Sequence, residues 1–303
     1  MSVINTSSFA KALWPGVNAW YGKAYNEYPV EWTDLFEQHS TDRAYVEDVG
    51  VSGFGLAAIK TEGGPINYDT ERQGFTTRYT MVTYALGFIV TREAFDDDLY
   101  GIVGQRRAQG LAFSMRQTKE IVAANVYNRA FTAGYTGGDG TVLINNAHPN
   151  VAGGTQSNKP SVDADLSEAV LEQAFIDIAA LKNDRGLQIS LIPQSIHIHP
   201  SNEFELARIL KSAGRVGTDN NDINALNTLG KFPKGMRINH YFTDPDAWFI
   251  RTNAPHGMKY FERRGDEFNM DNDFDTENAK FKATARYAFG WTDWRGIYGC
   301  QGG

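Results

Sequence analysis

The longest uninterrupted pattern in the chain is a run of β-branched and aromatic residues from Phe75 to Val90, FTTRYTMVTYALGFIV, which reads as one long strand. A weaker strand pattern covers Val46 to Ile59, and Glu62-Gly63-Gly64-Pro65 between the two supplies turn chemistry. The segments are expected to pair as a hairpin, whose arms of about 12 residues would reach roughly 40 Å. Its distal half, Gly50 to Gly74, is rich in glycine and polar residues and makes no core of its own. An isolated two-stranded ribbon is marginal in water, so this one is expected to rest on another subunit, a first indication of assembly.

The period then changes. Thr91 is placed to cap a helix whose first turns carry Glu93, Asp96, Asp97 and Asp98, negative charge at the positive end of the helix dipole. Phe95, Leu99, Ile102, Val103, Ala108, Leu111, Met115, Val122 and Val126 follow at mostly three- and four-residue steps, predicting one buried stripe. Continuous to Phe131, the helix would be about 60 Å long. Gly101, Gly104 and Gly110 weaken its first third, where a bend or break is expected. The glycine-rich stretch Gly134 to Gly140 ends it, and Asn145 to Lys159 reads as a loop.

From Asp165 to Gly235 helix and strand alternate. Asp165 with Glu168 gives a capping-box pattern before a helix ending near Gly186, and strands are expected at Ile189–Ile192 and Ser195–His199. Ser201 opens a short helix through Ser212, stopped by Gly214, and Arg215 to Gly230 reads as a polar, exposed loop. Strands return at Met236–Phe242, Ala247–Thr252, Gly257–Arg263 and Lys280–Phe289. Hairpin, long helix, inserted αβ piece and antiparallel strands make an α+β architecture.

Composition narrows the function. The 303 residues, 42% hydrophobic and 13% aromatic, are enough for a real core with large contact anchors to spare. Net charge is −7, with 29 Lys and Arg against 36 Asp and Glu and no basic run, which argues against tight nucleic-acid binding. A single cysteine, Cys300, forms no internal disulfide and fits folding in a cytoplasm. Met1 to Gly22 lacks the pattern of a secretory signal and reads as an arm, and the most apolar window, Met81 to Val90, is too short to span a bilayer.

Catalytic chemistry finds little support. His197 and His199 share a strand face at a spacing able to chelate a metal, but no third ligand is near in sequence; packing is the better reading, with His148 unconnected to them. Asp271-Asn-Asp273-Phe-Asp275 resembles a calcium loop only superficially, because Thr276 stands where glycine is needed and Lys282 where glutamate is needed. Asp96 to Asp98 are explained by the helix dipole, and Lys60 by a solvated turn. The nucleophile elbow, phosphate loop, dinucleotide fingerprint and zinc-protease motifs do not occur, so no catalytic, cofactor or metal residue is assigned.

Several segments then carry a resemblance: Ala285 to Gly296 (ARYAFGWTDWRG), Asp244 to Ile250 (DPDAWFI), Asp219 to Asn224 (DNNDIN) and Gly87 to Phe95 (GFIVTREAF). With the order of elements, they are similar to the major capsid proteins of tailed bacteriophages, the Mu-like major head subunit type above all. The resemblance implies an N-terminal arm (1–45), an extended hairpin loop (46–90), a peripheral domain with a spine helix (91–160 and 236–303) and an inserted axial domain (161–235). It implies pentamers and hexamers closing an icosahedral shell around double-stranded DNA in a virion, assembled in the host bacterial cytoplasm. The arm would reach over adjacent subunits and Arg215 to Gly230 would meet at the symmetry axis. Without a long helical segment before the arm, a separate scaffolding protein is implied, with a portal and a decoration protein as further partners. Trp20, Trp32, Tyr79, Tyr84, Trp291 and Trp294 are candidate contact anchors, each equally placed for a core. Two rivals remain: an encapsulin-like bacterial compartment, and a metal-dependent hydrolase using His148, His197, His199 and the 271–275 acids.

Overall fold

A computed structural model describes residues 18–91, 93–94, 97, 102–215, 222–273 and 278–303. Helix α1 occupies residues 18–27, followed by α2 (Trp32–Leu35), β1 (Glu37–Ser40), β2 (Tyr45–Val51), β3 (Gln73–Thr80) and β4 (Val82–Val90). Thr91 Oγ1 accepts the Ala94 N–H at 3.3 Å, the capping bond expected of it. Phe95, Asp96, Asp98, Leu99 and Gly101 lie outside the described residues. The long helix α3 is described from Ile102 to Asn128, 27 residues or about 40 Å.

The chain continues through β5 (His148–Pro149), β6 (Thr155–Gln156), α4 (Glu168–Ala180), β7 (Pro193–Ile198), α5 (Glu203–Lys211), α6 (Ala225–Leu229), β8 (Met236–Ile238), β9 (Trp248–Thr252), β10 (Met258–Asn272), β11 (Ala279–Trp291) and β12 (Ile297–Cys300). Helix α4 is capped by Ser167, which accepts the Val170 N–H at 3.4 Å. The expected cap, Asp165, instead accepts the Gly303 N–H. Only one strand, β7, forms where two were expected, because Ser190 takes a left-handed backbone (φ 48°) that breaks the run. The stretch Arg215 to Gly230 is not all loop, since it contains α6.

Two main cores result. In the first, β1, β10, β11 and β4 form a sheet in that order, antiparallel except for β1 on β10, and α3 packs across it. Of the stripe expected on α3, Ala108, Leu111 and Met115 are buried, but toward the C-terminus the deepest positions are Ala123, Ala124 and Tyr127, while Val122 and Val126 are only partly buried. Small alanines let helix and sheet approach, and Tyr127 fills the end of the seam with its hydroxyl on Leu35 O at 3.0 Å.

The second core, under α4, α5 and α6, is walled by the sheet β12-β9-β7-β8. Trp248, Ile250, Tyr298 and Cys300 face this core, whereas the alternate residues Phe249 and Ile297 face the first, so one sheet partitions the two. Its strands come from both sides of residue 235, so the expected 235/236 boundary between axial and peripheral pieces runs through a single sheet. Pairing of β9 with β7 and of β12 with β9 is non-local, which is why composition along the chain does not reveal it.

Candidate assembly surfaces

The hairpin is rooted firmly. Strands β2 and β3 pair antiparallel with Val46 opposite Tyr79, as expected. At the root, Tyr79, Met81 and Phe261 bury together in a third cluster with Val46 and Ala288 against them. Asp48 on β2 pairs with buried Lys259 on β10 and accepts the Thr292 hydroxyl at 2.6 Å, while Tyr79 Oη lies 2.7 Å from Thr292 Oγ1. Burial alone would raise the Asp48 pKa, but the bonds from Lys259 and Thr292 outweigh it and hold the carboxyl below its usual range. Gly138 has a structural reason to be glycine: a Cβ there would fall 2.6 Å from Thr77 Oγ1 and 2.7 Å from Thr76 O on β3. The ribbon therefore has partial support at home, which the hairpin pattern by itself did not suggest.

The expected long strand Phe75–Val90 is two. At Met81 the chain changes partner, β3 pairing with β2 and β4 with β11, and the Met81 N–H bonds to Ala44 O at 3.1 Å. The paired arms are 7 and 8 residues long, shorter than expected, and residues 52–72 form an irregular loop. That loop exposes apolar side chains: Phe54 (60%), Leu56 (83%), Ile59 (98%), Ile66 (63%) and Tyr68 (89%). Its one clamp to the rest of the chain among the described residues is Arg185, from the turn after α4, which holds Asp69 at 2.6 Å and also bonds Thr70 O. Strand β4 adds an open sheet edge, with Val82, Leu86 and Ile89 about half exposed.

Residues 18–40, expected to lie over adjacent subunits, pack instead on their own body. Tyr21 stacks on Phe268 at 4.5 Å and Trp32 lies 4.5 Å from Tyr260. Glu120, buried on α3, accepts the Trp32 N–H at 2.8 Å and the Glu31 N–H at 3.2 Å, capping α2 from outside. Lys119 Nζ sits over the rings of Trp32, Tyr260 and Tyr287, and burial, only partly offset by Glu262, pushes its affinity for a proton down. Residues 1–17 lie outside the description.

The structure separates the candidate metal ligands. His148 contacts Asp139, Thr141 and Asn158; His197 contacts Ser195 at 2.9 Å and Tyr127; His199 contacts Ser201 at 2.8 Å. Full burial, reinforced by the charges of Arg251 and Arg237, pushes His197 down to about 3. No group of three His, Cys, Asp or Glu residues among those described is arranged to hold a metal ion. Asp273 pairs with Lys280 across the β10–β11 turn, whose residues 274–277 lie outside the description. Of the six anchors, Trp32, Tyr79 and Trp294 are buried in cores and Trp20, Tyr84 and Trp291 pack against one. The most exposed aromatics among the described residues are others: Phe54, Tyr68 and Phe204 (71%).

A family model described as phage capsid protein matches residues 73–299. The chain belongs to that family. None of the curated proteins is a significant sequence match. Solved structures share the phage capsid fold at low identity. A Microbacterium phage Oxtober96 chain aligns with TM-score 0.53 at 11% identity, covering 90% of this chain and 92% of that one. A Mycobacterium phage Patience chain gives 0.52 at 12%, covering 99% and 89%. The virus-like particle from Pyrococcus furiosus gives 0.51 at 12%, covering 94% and 98%. This capsid protein thus has the tailed-phage major capsid fold and is a structural shell subunit. No helix among the described residues is long and apolar enough to cross a membrane.

Two surface features of this capsid protein escaped sequence reading. The clamp of Arg185 on Asp69 joins residues 116 positions apart. Phe54, Leu56 and Ile59 of the 52–72 loop fall in the strand expected over Val46 to Ile59, a reading that does not foresee an irregular loop with these side chains in solvent.

Proposed function

We infer that this capsid protein assembles with copies of itself into pentamers and hexamers that close an icosahedral shell around phage DNA, with the 52–72 loop as a principal contact. The observation that carries this is a loop with five large apolar side chains in solvent, mounted on a rigidly rooted base. A monomer has no use for that arrangement, whereas a neighbouring subunit covering the loop removes apolar area from water. The open edge of β4 and the stretch Arg215 to Gly230, of whose described residues Ile223 and Leu229 are exposed, are further contacts, the latter at the symmetry axis. Strength then comes from many modest interfaces repeated around closed rings.

The subunit's place is the virion, after assembly in the host bacterial cytoplasm. A separate scaffolding protein, a portal and a decoration protein are the partners this role calls for. Net charge −7 suits a container whose packaged DNA has to move in and out, since a basic wall would hold phosphates by many contacts. Family and fold favour a structural role over catalysis.

Negative-stain microscopy of the purified protein, expressed with and without its neighbouring genes, tests the proposal. Rings, tubes or spheres are expected; monodisperse single molecules under every assembly condition would refute it. The likeness to the Pyrococcus furiosus particle keeps a second reading, an encapsulin-like compartment. Sequencing nucleic acid inside shells purified from infected or producing cells separates them: phage genome supports the virion reading, and a protein cargo without genome the compartment.

A further inference from the structure

Beside the long helix runs a groove of about 430 Å³, within the usual range of clefts that bind a ligand or a few side chains. Val122 and Val126 of α3 form one wall, Tyr287 and Phe289 of β11 the floor, and Val82 and Tyr84 of the open edge strand β4 the lip. Helical periodicity calls for Val122 and Val126 to be buried, yet the single subunit covers them only in part. Their apolar face is thus prepared for something that the subunit does not itself supply.

The groove also has a charge requirement. Among the described residues that line it, Arg129 alone is charged. Its guanidinium lies 4.6 Å over the Tyr135 ring and is exposed, with no hydrogen bond or ion pair to any described side chain. An apolar trough ended by a free guanidinium fits an apolar side chain followed closely by a carboxylate.

The 52–72 loop carries such a pair. Ile59 is 98% exposed, and Glu62, three residues on, is exposed with no described partner for its carboxylate. The Gly64 N–H bonds Thr61 O at 3.0 Å, closing a turn that keeps Ile59 and Glu62 on one tip. The subunit does not fill its own groove with this tip. The groove opens at Thr80 and Val82, the root of the β2–β3 ribbon, whereas the loop lies past the far end of arms 7 and 8 residues long, roughly 25 Å away, where Arg185 holds Asp69.

We propose that the groove between α3 and β4 receives the loop tip of a second copy of the chain, with Ile59 in the aromatic trough and Glu62 on Arg129, a contact that rests on the self-assembly proposed above. Lys60, beside Ile59, repels Arg129, so the tip enters in the orientation that brings Glu62 to the guanidinium. Inserting and receiving surfaces sit at opposite ends of one ribbon. The contact is therefore head-to-tail, the kind that closes rings by rotation instead of ending at a two-fold pair.

The test uses two full-length variants, Ile59→Cys and Val126→Cys, mixed, assembled and oxidised; the native Cys300 is buried. A dimer on a non-reducing gel is expected from the mixture and from neither variant alone. In parallel, Glu62→Arg and Arg129→Glu should each raise the assembly threshold at least about tenfold, and the two together should return it to within about threefold of wild type. No dimer in the assembled mixture, a dimer from either variant alone, or reversals that add without rescue overturns the proposal. Should Arg129→Glu not fold, the cysteine mixture decides alone. If these tests fail while Leu56→Ser with Ile59→Ser still raises the threshold, the loop docks on another surface and self-assembly stands. If no assembly forms under any condition, self-assembly falls and the groove contact with it.

Discussion

Replacing Leu56 and Ile59 together by serine should leave the isolated subunit as stable as before and cripple its assembly. The two side chains are 83% and 98% exposed and touch no core, so their removal takes nothing from the folded monomer. Fully burying a Leu or Ile side chain is worth about 1.5–3 kcal/mol. If a neighbour covers about half of each, the loss per subunit is about 1.5–3 kcal/mol, which at about 1.4 kcal/mol per decade raises the assembly threshold concentration about 10- to 140-fold. Light scattering over a concentration series reads the threshold, and thermal denaturation of the unassembled subunit reads the control. An unchanged threshold would refute the loop's role as a contact. A subunit destabilised by more than about 1 kcal/mol would show instead that the loop folds on its own body.

Five further outcomes follow from the charges and caps. Asp48→Ala leaves Lys259 buried without its carboxylate and should cost about 3–5 kcal/mol in denaturant titration, with residues 45–51 losing exchange protection first. The Asp48 carboxyl titrates lower in the folded state than unfolded, so its stabilisation is present above the usual carboxylate range and should fade as pH drops through the folded value. His197 runs the other way from a paired histidine: held neutral down to about 3, it favours the folded state above about pH 6.5 and should subtract up to about 1.4 kcal/mol per pH unit on acidification, a slope that His197→Gln should flatten. Glu120→Ala strips two backbone donors of their acceptor and should cost about 1–3 kcal/mol while making residues 31–36 the first protease site. Arg185→Ala breaks a partly exposed pair, so the melting temperature should hardly move while proteolysis within 52–72 accelerates.

Reading the sequence located the elements whose cause is local. Thr91 caps because its hydroxyl reaches an amide three residues on, and the helix through Asn128 follows from its three- and four-residue spacing. The β2–β3 pairing was legible from composition and an intervening turn, and the α+β class from the order of patterns. The family likeness rested on the tract around Trp291 and Trp294, which the structure places at the root of the hairpin and beside His148. Less legible was the stripe of α3: its deepest positions are alanines, which a hydrophobicity pattern underweights against Val122 and Val126. The candidate ligands failed for a related reason, since strand spacing puts His197 and His199 two residues apart but says nothing of what surrounds them, and each found its own partner.

By itself, then, the sequence determined the long helix with its Thr91 cap, the pairing of β2 with β3 and the α+β class. Tertiary structure alone decided the change of partner at Met81, the docking of residues 18–40 at home, the sheet shared between the two cores and the polar box around His148. The division has one physical cause. Capping and periodicity act over a few residues, whereas Lys259 on Asp48, Asn158 on Ile297 and Arg185 on Asp69 join groups more than a hundred positions apart, and such pairs exist only once the chain has closed on itself.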